Sequence, residues 1–180
     1  MAVVAGDILF KFSVKTGAAG NATAGSAAGS LGKYISTTEI TDATLNNLFD
    51  DVTGAENAAS DVEYRCIFIH NSNATATLQN SVVWMSAEAA GGAAAAIAID
   101  NTAASAIGAS AAQAAEIAGE GSVPSGVGSF SSPTTQGTGL ALGDIAAGYC
   151  RAVWIKRTCS NTTAVTSDGF TLSVAGDTLA

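Results

Sequence analysis

Side-chain catalysis needs groups that converge, and this sequence offers few that could. His70 is its single histidine; it stands in the run His70-Asn71-Ser72-Asn73 with no cue that pairs it with a nucleophile, and no complete G-x-S-x-G turn occurs. A working base also needs a third group to orient it, so an imidazole among turn asparagines reads as structural or solvated. Gly32-Lys33 resembles the end of a phosphate-binding loop. The position five before Gly32 is Ala27, however, and Tyr34 stands where the loop requires Ser or Thr. Asp50, Asp51, Thr53, Glu56 and Asn57 could gather oxygen ligands for a hard cation, but Gly54 is misplaced for a calcium loop. That cluster is expected to be the solvated C-terminus and turn of a helix, with charge of the wrong sign for the dipole. No catalytic, cofactor-binding or metal-binding residue is assigned, no cofactor is implied, and the chain reads as non-enzymatic.

Positive charge gathers at Arg151, Lys156 and Arg157, three of the seven Lys and Arg residues. On a strand Arg151 and Arg157 share one face and Lys156 takes the other. Such a cluster is either a docking patch for an acidic neighbour or gatekeeping charge around an apolar strand. Trp84 and Trp154 lie in apolar strand segments and are expected in the core. Cys66, Cys150 and Cys159 form an odd set without metal-ligand spacing and read as buried thiols. Asn21, Asn73 and Asn161 each open an N-x-[ST] triplet. The opening residues MAVVAGDILFKF lack the basic and long apolar stretches of a secretory signal, so these triplets read as chance products of an Asn/Thr-rich sequence.

The elements that would have to position any site are built from small residues. Of the 180 residues 48% are hydrophobic, but much of that is alanine, leaving scattered Val, Ile and Leu with six Phe and two Trp as large core side chains. Only 12% are charged, about half the usual share, and the formal net charge is −8. An acidic chain with few Lys and Arg has no electrostatic footprint for nucleic acid. No run of about 18 apolar residues outside the alanine tracts suggests a membrane span. Low charge density suits a protein that lives in an assembly, where ionic side chains would have to be desolvated.

Residues 7–15 alternate, with Ile8, Phe10, Phe12 and Val14 on one face and Lys11, Ser13 and Lys15 on the other, which predicts a half-buried strand. Residues 16–32, TGAAGNATAGSAAGSLG, have no apolar period and predict a long loop or arm. A short strand is expected at 34–37. Thr41 can then cap a helix carrying Leu45, Leu48, Phe49 and Val52 at i, i+3, i+4 and i+7. From residue 61, Val62, Tyr64, Cys66 and Phe68 line one face and Arg65, Ile67 and Ile69 the other, which predicts a central strand. Further strands are expected at 75–86, 94–99, 149–158 and 170–174, with a short edge strand at 123–133. Residues 101–121 are open between helix and irregular loop. The pattern predicts a mainly all-β fold, a β-sandwich of immunoglobulin-like or jelly-roll-like type with one short helix and a Gly/Ala-rich N-terminal arm. The division expected is residues 1–33 for the first strand and extended arm, and 34–180 for one sandwich domain.

Four segments carry a resemblance: DVEYRCIFIHNSNATATLQNSVVWMS at 61–86, VPSGVGSFSSP at 123–133, LGDIAAGYCRAVWIKRT at 142–158 and DGFTLSVAGDT at 168–178. Together, over 61–178, they resemble a recurrent strand-and-turn pattern in virion structural proteins of tailed bacteriophages. The run Asp144-Ile145-Ala146-Ala147-Gly148-Tyr149-Cys150 also resembles the tyrosine corner of immunoglobulin-like sandwiches, although that motif places Cys two residues after Tyr and here it follows directly. The analogy would bridge Cys66 to Cys150; the spacing and a reducing host cytoplasm speak against it. The resemblance implies a capsid decoration (cement) protein on the outer surface of the head, made in the host cytoplasm. Its partners would be the major capsid protein and copies of itself, a homo-oligomer with a trimer favoured, and neither nucleic acid nor membrane. The arm would lie along a neighbouring chain and order on docking. The alternative is a tail, baseplate or fibre component contacting the host surface, for which exposed aromatic residues would be expected in loops.

Overall fold

Strands form where apolar residues alternate, and they pair into two antiparallel sheets stacked as a sandwich. The structure, a computed structural model, describes residues 2–160, 163, 165 and 167–178. In chain order the strands are β1 (Ile8–Val14), β2 (Tyr34–Glu39), β3 (Val62–Asn71), β4 (Leu78–Glu88), β5 (Ala94–Ile99), β6 (Ser105–Ala106), β7 (Leu140–Ile145), β8 (Tyr149–Thr158) and β9 (Phe170–Asp177). The large sheet runs β2-β1-β3-β8-β5, with β6 also beside β8, and the small sheet runs β7-β4-β9. β3 and β8 form the spine of the large sheet, in unbroken register from Val62 opposite Thr158 to His70 opposite Cys150.

The face of the large sheet turned to the small one carries Phe12, Ile67, Ile69, Ile97, Val153 and Ile155, which meet Leu78, Val83, Met85, Leu142 and Ile145. Burying each such side chain contributes about 1.5–3 kcal/mol. The opposite face carries a second core of Ile35, Tyr64, Cys66, Phe68, Cys150, Ala152 and Trp154, closed by Ala114 and Ile117. β3 thus has apolar residues on both faces, as expected of a central strand, because both faces of its sheet are covered.

The second cover is made of irregular chain, and it changes the reading of the arm. Residues 16–33 lie against their own sheet. The Asn21 N–H donates to the Ile35 carbonyl (2.6 Å) and Thr37 N–H to Thr23 (2.9 Å), which covers the outer edge of β2. Where β1 ends beside β3, Cys66 N–H donates to Ser30 and Tyr64 N–H to Glu120, each at 2.8 Å. Because β1 sits between β2 and β3, residues 1–33 are not an appendage to a 34–180 sandwich. The polar face of β1 is consequently buried too, with Lys11 and Ser13 at 7% and 0% exposure. Residues 101–122 form an irregular strap over the second core that touches strand geometry only at β6.

Three further expectations are corrected. The helix predicted from Leu45, Leu48, Phe49 and Val52 does not form: Ala43 and Asn46 have positive φ, 53° and 56°, which a right-handed helix cannot include. Leu48 and Phe49 are buried while Leu45 is 76% exposed, so the apparent helical period served a loop that plugs the sandwich. The helix that does form is α1 (Gly54–Ala59), opened by a capping box in which Thr53 and Glu56 exchange hydrogen bonds. Residues 123–133 form isolated bridges instead of a strand, Asp100 to Val127 and Ile97 to Ser131, and they cover the outer edge of β5. Trp154 is fully buried, but Trp84 is not in the core: Val83 and Met85 point inward, so alternation along β4 turns Trp84 outward, where it is half-buried.

Candidate functional site

The residues with charge to spend are mostly spent inside the fold. Glu63, Arg65 and Arg157 share the end of the large sheet's inner face, since Glu63 pairs with Arg157 and Arg65 with Ile155 across β3 and β8. Arg157 donates from Nε to Glu63 Oε2 (2.6 Å) and from Nη2 to Asp50 Oδ1 (3.1 Å). Arg65 pairs with Glu120. Both guanidinium groups lie over the Phe49 ring, 4.7 Å away for Arg157 and 5.4 Å for Arg65, a cation–π arrangement that draws the 48–50 loop onto the sheet. Burial pushes the Glu63 carboxyl above its usual range, against the pull of Arg157. The Arg151, Lys156 and Arg157 cluster is therefore not a free basic patch: Arg157 is buried, Arg151 donates to the Thr102 carbonyl, and Lys156 lies 5.8 Å from the Phe130 ring.

Two side chains that sequence reasoning passed over hold the strap. Asp100 Oδ2 accepts from Trp154 Nε1 (2.8 Å) and from Ala115 N–H (2.9 Å), while its Oδ1 accepts from Thr102 N–H (2.9 Å). Gln113 accepts at Oε1 from Ile35 N–H (3.2 Å) and donates from Nε2 to Ser105 Oγ (3.0 Å), Ala106 O (2.9 Å) and Cys150 Sγ (3.3 Å). The available signal was Gln113 itself, the one long side chain in an alanine run. The cysteines are free and buried, as expected. His70, not Cys66, stands opposite Cys150. Burial pushes the Cys150 thiol up to about 12 and also raises Cys66 and Cys159, so all three are held as thiols.

His70 is buried at 5% exposure, not solvated among its turn asparagines. Neither ring nitrogen has a hydrogen-bond partner. Its cross-strand neighbours are Leu9 and Cys150, with Lys11 next along the same face of β1. Burial and the Lys11 charge lower its pKa, only partly offset by Glu39. Lys11 donates to Asn21 Oδ1 on the arm (3.2 Å).

The remaining sequence features resolve into structure. Gly32 and Lys33 lead into a strand and not a helix, and Lys33 pairs with Glu116 (3.5 Å). The acidic run at 50–57 is split between Arg157 and the cap of α1; it spans the helix start, with Glu56 in the first turn, where its charge suits the dipole. No three His, Cys, Asp or Glu side chains gather as a metal would need among the described residues. A hollow at the β4–β5 turn, lined by Glu88 to Ala94, has two carboxylates beside it, both engaged by backbone: Glu88 Oε1 accepts from Ala95 N–H (2.6 Å) and Asp168 Oδ2 from Ala93 N–H (2.6 Å). Tyr149 is 38% exposed, so it is no buried corner tyrosine. It closes the tight turn to Ala146 (3.0 Å) that Gly148 makes at φ 70°. Of the three N-x-[ST] asparagines, Asn21 and Asn73 bond internally, and Asn161 lies outside the described residues.

Among the described residues, the outer side of the small sheet is half-exposed, with Val82 and Trp84 both half-buried. On the outer side of the small sheet Val82 lies between Ala141 and Ala175, and Trp84 is opposite Ser173. Asp144 and Asp177 sit at one end, each hydrogen-bonded to Asn80. β7 and β9 are the sheet's end strands, and no further strand pairs with either among the described residues. No helix is long and apolar enough to cross a membrane among the described residues. No family model, curated protein or solved structure matches the chain.

Proposed function

We propose that the chain is a structural subunit of a phage particle: a decoration protein that stabilises the head by docking on the major capsid protein, as a homo-oligomer and most simply a trimer at a three-fold seam. The observation that carries this reading is the asymmetry of the sandwich. The large sheet has both faces and both edges covered by its own chain, whereas the small sheet presents an outer face of Val82, Trp84, Ala141, Ser173 and Ala175 with no lysine or arginine on it. Away from the Asp144 and Asp177 carboxylates at one end, such a face can be dried by a partner at small electrostatic cost, and a central Trp is a common anchor of interfaces. The basic and acidic side chains that could serve chemistry are instead tied into loop anchoring.

The test is co-sedimentation of the purified protein with empty shells, with shell rupture temperature as the second readout. Wild type is expected to bind and to raise that temperature, and Trp84→Asp and Val82→Asp to lose binding with an unchanged circular dichroism spectrum. Indifference to shells combined with binding to host envelope would overturn the proposal in favour of a tail, baseplate or fibre component. A monomeric mass by light scattering would remove the trimer from it.

A further inference from the structure

We infer that the arm is an acid-released cover, docked on the large sheet while His70 is neutral and lifted when the imidazole takes up a proton. The groups facing His70 are few. From β1 comes Lys11, from β8 the Cys150 thiol, and from β2 the exposed Glu39, which stands opposite Lys11. The two segments that close over this face, residues 16–32 of the arm and 101–115 of the strap, contain no Asp, Glu, Lys, Arg or His. A proton on His70 would therefore place a second positive charge next to buried Lys11, under a cover with nothing to neutralise it.

Neither imidazole nitrogen has an acceptor within reach, so the new N–H would be unpaired as well. An unpaired buried charge outweighs a handful of neutral hydrogen bonds. The cover is held near this point by a handful of bonds, all but one of them between neutral groups: Gly20 N–H to the Ala109 carbonyl (2.9 Å), Asn21 N–H to Ile35 (2.6 Å), Gln113 Nε2 to Cys150 Sγ (3.3 Å) and, from the charged ammonium, Lys11 to Asn21 Oδ1 (3.2 Å). Gly20 sits so close to the strap that a Cβ there would lie 2.0 Å from Gln113 Oε1, which makes arm and strap one closely apposed layer. The spine beneath it, β3 paired with β8 over nine consecutive residue pairs, has no such weakness, so the layer gives way before the sheet.

The sign follows from the same geometry. Burial and Lys11 lower the His70 pKa in the docked state, so the open state binds the proton more readily. Docking is then independent of pH above the ordinary histidine value of 6.5 and weakens below it, by up to about tenfold per pH unit for one proton. This inference goes beyond the assembly reading and needs no partner.

Hydrogen–deuterium exchange of the full chain, corrected for the intrinsic pH dependence of exchange, tests it. Between pH 7.5 and 5.5 protection in peptides spanning residues 17–25 is expected to fall about tenfold, while peptides within β8 stay protected. His70→Gln should abolish the fall. Should that variant not fold, Lys11→Met serves instead: without the Lys11 charge the docked-state pKa moves up toward the open-state value, so the fall should be smaller than in the wild type. Arm protection that ignores pH in the wild type, an equal fall in His70→Gln, or simultaneous loss of protection in β8 would each overturn the inference.

Discussion

Replacing Arg157 by Met tests whether the charged knot at the end of the sandwich holds the 48–50 loop as its geometry implies. Arg157 and Glu63 are 8% and 3% exposed and share a 2.6 Å hydrogen bond. Removing the guanidinium strands a carboxylate away from water, and breaking one partner of a buried pair costs about 3–5 kcal/mol. At about 2–4 °C per kcal/mol for a chain of this size, the melting temperature should fall by about 6–20 °C. Glu63→Gln should cost only about 1 kcal/mol, because burial already disfavours that carboxylate and a neutral amide can still accept from Arg157. The double variant should recover about 2 kcal/mol relative to the sum of the singles. What it does not recover is the cation–π contact with Phe49 and the anchor to Asp50. The pH dependence has a definite sign. A carboxyl whose folded pKa is raised opposes folding when charged, so lowering pH toward that value restores stability. With Arg157 gone the pKa rises further, and the gap between Arg157→Met and wild type should narrow as pH falls from 7 toward 5. Urea and thermal melts followed by circular dichroism supply every term. A cost below about 1 kcal/mol, strict additivity, or a gap that widens in acid would refute the reasoning.

Gly32→Ala should destabilise by about 2–4 kcal/mol in urea melts, since φ there is 94° and a Cβ would stand 1.9 Å from the Ala115 carbonyl oxygen. Gly121→Ala, with open space around it, should stay within about 0.5 kcal/mol. The cysteine thiols should react with a thiolate-selective disulfide reagent at pH 8 only on the timescale of unfolding, because Cys150 is pushed up to about 12 and the other two are also raised and buried. Prompt labelling of any of the three in the folded protein would show a reactive, accessible thiol there.

The strands were written in local alternation. Ile8, Phe10 and Phe12 against Lys11 and Ser13, and the two apolar faces of 62–69, are visible in sequence because a strand's side-chain period of two is a local property. So was the reading of the cysteines as buried free thiols, drawn from an odd number without metal-ligand spacing. What sequence could not decide is what covers each face. Lys11 and Ser13 look solvent-facing until residues 16–33 fold over them, and a Gly/Ala/Ser arm carries no periodic mark of its target. Its composition permits close approach to any backbone, its own sheet or a neighbour's. Leu45, Leu48, Phe49 and Val52 carry a helical period, yet tertiary demand for a loop that drops Phe49 between Arg65 and Arg157 overrides it. Arg157, Glu63 and Asp50, like Trp154, Asp100 and Gln113, lie far apart along the chain, and only strand pairing brings them within hydrogen-bonding distance. Local pattern thus determined the elements, whereas partnership between distant polar groups, the burial of His70 and the half-exposed outer face at Trp84 were decided by tertiary structure, because burial belongs to the packed whole and not to any segment.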